Sequence, residues 1–124
     1  MLIFLGVAQA ANFAAVMQGG KLFAKNCAQC HGATAQGAPN WHKVDKLGKY
    51  PPPPLNGTGH AWHHSIDVLK GTIRNGGKKL GGTMPGFASK LSDKDMEAII
   101  AWIQSHWPKK IMDAWERNNG GSVK

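Results

Sequence analysis

The chain is poor in acid and in thiol. Only seven of its 124 residues are Asp or Glu, against fifteen Lys and Arg, which leaves a formal charge of +8. The first ten residues carry none of that charge, so any processed form keeps the whole excess. Such a balance steers a protein toward acidic partners or anionic surfaces and does not speak to fold. Nucleic acid is disfavoured, because the lysines are scattered and no recognised nucleic-acid motif accompanies them. There are two cysteines, Cys27 and Cys30. The histidines outside that neighbourhood, His42, His60, His63, His64 and His106, lack the paired spacing of a zinc finger. No nucleophile and base stand in a recognisable arrangement. Long apolar runs are missing too: Met1 to Ala10 is far shorter than the roughly 20 residues that cross a bilayer, so the mature chain is expected to have no integral membrane span.

Glycine and proline are plentiful instead. Sixteen glycines and seven prolines in so short a chain mean many turns and argue against a large regular sheet. The apolar periodicity that exists is helical. At this length one domain is the default. The expectation is therefore a small all-α domain with long loops.

The two cysteines fall in Cys27-Ala28-Gln29-Cys30-His31. C-x-x-C followed at once by His is the attachment pattern of a c-type haem, in which two thiols form thioethers and the imidazole ligates iron. Attachment would use both thiols. The alternative reading is a disulfide or a thiol-exchange pair whose pKa His31 adjusts. A buried haem would also supply apolar surface that a small, loop-rich chain otherwise lacks.

Taken in order, Met1 to Ala10 ends in a small-x-small triplet and reads as the remnant of a secretory signal cut after Ala10, although its basic region is missing. An ordered apolar turn is the other reading. From Asn12 to Asn26 the apolar spacing suits helix, firm from Gly19 onward, with Gly19-Gly20 expected to interrupt it. Gly19 and Phe23 fall on one face. Residues 32–61 read as a loop, and the prolines at 51–54, next to Leu55 and near Tyr50 and Trp62, suit an internal role. His60, His63 and His64 could bind a metal or border the next helix. That helix has Ser65 as N-cap, an apolar face of Ile66, Leu69 and Ile73, and a stop at Gly76-Gly77.

Residues 78–86 form a second glycine-rich loop holding Met84, whose thioether is a soft donor suited to haem iron. Met17 and Met96 fall on helical faces and Met112 in the tail, where packing or exposure accounts for them. Ser92 with Asp93 and Asp95 opens a last clear helix with Met96, Ile99, Ile100, Ile103 and Trp107 on its apolar face, and Pro108 ends it. Ile111, Met112 and Trp115 predict a short amphipathic turn, then a frayed end from Asn118 to Lys124.

From Gly19 to Trp107 the chain resembles the monohaem class I c-type cytochromes, in particular small soluble bacterial periplasmic ones. The resemblance rests on Gly19 and Phe23, the Cys27 to His31 motif, Pro54-Leu55-Asn56-Gly57, Arg74-Asn75-Gly76 and Met84-Pro85-Gly86-Phe87. It implies about three to five helices and long loops around one covalent haem c with its iron. Met84 would stand opposite His31, Gly19 and Phe23 would meet the helix face carrying Trp102, and a proline carbonyl, Pro39 or one of Pro51 to Pro54, would orient His31. Tyr50, Pro54, Leu55, Trp62 and Phe87 are the further haem-contact candidates. The implied function is single-electron transfer in the periplasm by a monomer that docks on acidic redox partners through Lys21, Lys25, Lys78, Lys79 and Lys90. The alternative is a haem c subunit or domain of a periplasmic oxidoreductase, with an exchangeable iron ligand or a metal site at the histidine cluster. The domain expectation is a signal remnant at 1–10 and one domain at 11–124, with its core at 19–107 and an extension at 108–124.

Overall fold

A computed structural model describes the backbone of residues 2–123 and the side chains of residues 12–119. Among the described residues there are helices and loops and no strand. Five α-helices follow in order: α1 (Leu2–Asn26), α2 (Ala28–His31), α3 (Ile66–Asn75), α4 (Asp93–Ser105) and α5 (Lys109–Val123). Two single 3₁₀ turns, Ala61–His63 and Lys78–Leu80, interrupt the long loops. The side chains of the expected signal remnant lie outside the described residues.

The apolar spacing of α4 makes it the centre of the core. Ser92 and Asp95 form a reciprocal capping box, Ser92 Oγ accepting from Asp95 N–H at 3.1 Å and Asp95 Oδ2 from Ser92 N–H at 3.0 Å. The helix then buries Met96, Ile99, Ile100 and Ile103, and Trp107 follows just beyond its end. Against this face lies α1, with Phe23 only 1% exposed. Gly19 is what lets the two helices touch, because a Cβ there would come within 1.8 Å of the Ala98 carbonyl oxygen. Phe23 packs on Trp102 with ring centroids 4.4 Å apart.

Two expectations are corrected. Gly19-Gly20 does not interrupt α1, which runs unbroken to Asn26; the contacts made by these glycines offset their poor helix propensity. Phe13 and Met17 on the same helix are exposed, so of packing and exposure it is exposure that accounts for Met17. The tail is also more ordered than its composition implies: Pro108 ends α4 and opens α5, its carbonyl accepting from Ile111 and Met112 N–H at 2.9 and 3.0 Å. Trp115 of α5 is buried and donates from Nε1 to the His64 carbonyl at 2.8 Å. Trp107 Nε1 likewise donates to the Leu55 carbonyl at 2.9 Å. These two indoles tie the C-terminal part to the loop after α2.

Helix α3 starts where Ser65 Oγ accepts from Val68 N–H at 3.3 Å and stops at Gly76, with φ +77°. Lys70 reaches Asp93 and Glu97, each at 2.9 Å, and Arg74 reaches Asp93 at 2.8 Å, joining α3 to the start of α4. Exposed pairs of this kind add little stability.

Candidate functional site

The motif histidine is positioned by the turn that carries the cysteines. Cys27 N–H donates to Phe23 O at 2.8 Å, His31 N–H to Cys27 O at 2.9 Å, and Gly32 N–H to Ala28 O at 2.8 Å. The turn then ends at Gly32, whose φ of +88° and ψ of 155° favour glycine. His31 is buried, and its Nδ1 lies 2.9 Å from the Pro53 carbonyl oxygen. A carbonyl only accepts, so Nδ1 carries the proton and Nε2 keeps a free lone pair. Among the prolines left open by the sequence, Pro53 is the one that holds the ring.

Burial lowers the His31 pKa against the opposing pull of the Pro53 hydrogen bond, which favours the neutral imidazole a metal requires. Cys27 and Cys30 are both free thiols. Burial, with Cys30 adding to it, pushes the Cys27 thiol up to about 11. A thiol so shifted is a poor thiolate nucleophile, which counts against the thiol-exchange reading.

The proline loop is closed by backbone bonds. Gly37 N–H donates to His31 O at 2.7 Å, Ala38 N–H to Pro52 O at 2.9 Å, and Leu55 N–H to Ala35 O at 2.8 Å. A Cβ at Gly37, where φ is +74°, would fall 2.4 Å from Pro54 N. Beside these prolines is a cavity of about 490 Å³, walled by Pro51, Pro53, Pro54, Leu55 and by Leu69 of α3. Trp41, His42, Tyr50, His60 and His64 also line it.

Met84 is held from the other side. Gly77 N–H donates to Met84 O at 3.0 Å, and Phe87 N–H to Ile73 O at 2.9 Å, which folds the methionine loop back on the end of α3. A Cβ at Gly76 would sit 2.5 Å from Met84 O, and one at Gly86 2.7 Å from Arg74 O. The Met84 side chain is half-buried and packs on the core cluster, as do Cys27, Leu55 and Trp62.

Of the expected contact residues, the cavity brings together Tyr50, Pro54 and Leu55. Trp62 and Phe87 are not in its lining: Phe87 is a core residue, and Trp62 stacks on His63 at 3.9 Å and donates from Nε1 to Gly59 O at 3.1 Å. Trp41 and Thr72 line the cavity without having been singled out, since loop position and helix phase alone gave no signal for them. Among the described residues no group of three His, Cys, Asp or Glu could hold a metal ion, so His60, His63 and His64 do not form the metal site that their spacing allowed.

The donor set tests whether a covalent haem fits: two free thiols on one helical turn, a neutral imidazole with one nitrogen committed, and a thioether on a separately anchored loop. These residues fit it. The all-helical fold with this set is that of a class I c-type cytochrome. A family described as cytochrome c oxidase, cbb3-type, subunit III matches residues 14–103, and the chain belongs to that family of c-type cytochrome domains. It is 34% identical over 106 residues to cytochrome c6 of Synechocystis sp., covering 82% of this chain and 78% of that protein. It is 34% identical over 95 residues to the cbb3-type cytochrome c oxidase subunit FixP of Sinorhizobium medicae, and 31% over 97 residues to CcoP of Azospirillum sp.. These alignments cover 73% and 78% of this chain but 30% of each of those subunits. No solved structure matches it. The cofactor is covalently bound haem c with its iron, and the function is electron transfer. Among the described residues no helix is long and apolar enough to cross a membrane.

Proposed function

We propose that this chain is a soluble, extracytoplasmic carrier of single electrons, in which Cys27 and Cys30 would hold the haem through thioethers and His31 and Met84 would ligate its iron. The observation that carries the reading is the His31 ring, buried directly after two free thiols with its Nδ1 proton committed to Pro53. When bound, the haem supplies an iron that changes oxidation state by one electron, and a Met/His pair raises its potential relative to two histidines. The chain's own residues hold the geometry. The α1–α4 crossing anchors the thiols, Pro53 fixes the imidazole, and the bonds around Gly76 and Gly77 place the methionine loop. Pro54, Leu55, Tyr50, Trp62 and Phe87 are the further contacts of the group.

The mature form is residues 11–124 as one periplasmic, monomeric domain, with residues 1–10 removed as a signal remnant. Lys21, Lys25, Lys78, Lys79 and Lys90 are all exposed, which supports a docking face for an acidic redox partner. Electron transfer with that partner should slow as ionic strength rises, since exposed charges are screened over about 8–10 Å in ordinary salt. A second reading, a haem c subunit of a larger oxidoreductase, is favoured by the match to the cbb3-type subunit family.

Expression with a haem-maturation system tests the central assignment. Denatured protein should retain the mass of one haem, and Cys27→Ala or Cys30→Ala should lower the holoprotein yield. Polypeptide mass alone in the denatured wild type would refute it. Migration of the native protein as a free monomer supports the carrier, and its purification inside a stable oxidase complex supports the second reading.

A further inference from the structure

Three imidazoles that the proposed electron path does not use line one cavity. His42 comes from the loop after α2, His60 from just before the 3₁₀ turn, and His64 from just after it. His60 lies edge-on to Trp41, with centroids 5.5 Å apart, and Trp41 in turn lies edge-on to His42 at 5.7 Å. With Tyr50 these are the titratable side chains of the lining, and no Asp, Glu, Lys or Arg among the described residues belongs to it. From α3 the cavity takes only Leu69 and Thr72, neither of which titrates. Helix α5 reaches this region through the neutral Trp115 indole on the His64 carbonyl. His63 belongs to the same histidine run but is not in the lining; its ring stacks on Trp62 and lies 5.5 Å from the His60 ring, so it is a titratable neighbour of the group.

The cavity is physically joined to the haem ligand. Pro53 is part of its wall, and the Pro53 carbonyl accepts the His31 Nδ1 proton. All three imidazoles are exposed, so protons reach them directly from water. Histidine is also the side chain whose ordinary pKa places its charge change between pH 5 and 8.

We propose that His42, His60 and His64 form a proton-binding site coupled to electron uptake. The proposal rests on the haem reading above. One electron arrives from the donor protein, and one imidazole takes a proton from water, up to one proton per electron. Handing the electron to the acceptor returns the proton to solvent. The coupling follows from charge: an added electron makes the neighbourhood more negative, which favours the protonated imidazole, and by linkage the protonated imidazole favours the electron equally. The carboxylates of the haem itself are the rival proton acceptor.

Potentiometric titration of the purified holoprotein from pH 5 to pH 8 tests this, with the optical spectrum recorded alongside to confirm covalent haem and unchanged iron ligation. The wild-type potential should fall as pH rises, by at most a tenfold change in the equilibrium per pH unit, about 59 mV for one electron. The triple variant His42→Gln, His60→Gln, His64→Gln should flatten the profile, and at least one single variant should reduce its slope. His106→Gln, outside the lining and edge-on to Trp102, should match wild type. A haem-bearing wild type with a flat profile overturns the proposal alone. So does a slope that survives in the triple variant or, should that variant give no holoprotein, in all three single variants; the proton then sits on the carboxylates of the haem. A wild type without covalent haem overturns the haem reading and this inference with it.

Discussion

The α1–α4 crossing and the loops around the cavity are both well fixed, but by different means. The crossing is fixed by side chains: Phe23, Met96, Ile99, Ile100 and Ile103 interlock, with Gly19 against the Ala98 carbonyl and Gly20 against Trp102 setting the approach. The loops are fixed by the backbone, through Gly37 to His31 O, Leu55 to Ala35 O, Gly77 to Met84 O and Phe87 to Ile73 O. Side-chain packing responds to volume, whereas backbone closure responds to any added Cβ. The part that holds the ligands should therefore tolerate altered side chains better than altered glycines, and the core the reverse.

The largest break of this comparison is Ile99→Ala, which removes volume from a site 1% exposed and should cost about 2–5 kcal/mol in chemical denaturation while leaving the haem spectrum native. Next is Gly19→Ala. It drives a methyl into the Ala98 carbonyl and should cost about 1–3 kcal/mol by forcing the helices apart, again with native ligation in the folded fraction. Gly76→Ala probes the other region: at φ +77°, ψ −176° a non-glycine residue is strained by about 1–3 kcal/mol, and its Cβ meets Met84 O. This variant should weaken the methionine-ligation spectrum out of proportion to its loss of stability. A native spectrum in Gly76→Ala would show that the loop closure does not position Met84.

The smallest effect is at Asp93. The Lys70 and Arg74 hydrogen bonds hold its carboxyl below the ordinary carboxylate range. Its contribution is present above the unfolded carboxylate pKa and is lost as pH falls through the lowered folded value. Asp93→Asn should lower the neutral-pH melting temperature only slightly, match the wild type in acid, and so abolish this acid-side loss. A large drop at neutral pH would mean that the ion pairs joining α3 to α4 hold the core, contrary to the side-chain account.

How far the sequence foretold these regions follows the same division. Helix α4 was legible because its capping box and apolar spacing are local, and α3 because Ser65 and Gly76 mark its ends. The attachment motif was legible as a motif. Local signals misled where a distant contact decides. Gly19-Gly20 reads as a break until Ala98 and Trp102 are placed against it, and the segment of Ile111, Met112 and Trp115 reads as a short turn until Trp115 finds the His64 carbonyl. Pro53 could not be told from its neighbours, since four adjacent prolines carry the same local signal and only the fold decides which carbonyl meets His31. The gathering of His42, His60 and His64 in one cavity likewise depends on how a 30-residue loop closes.

The most direct test of the account is the near-infrared spectrum of the oxidised holoprotein. Ligation by Met84 predicts a weak sulfur-to-iron charge-transfer band in the wild type, lost in Met84→Ala together with a fall in potential and new binding of small ligands. If the wild type lacks that band while His60→Ala or His64→Ala alters the iron spectrum, a histidine ligates the iron and Met84 is only packing.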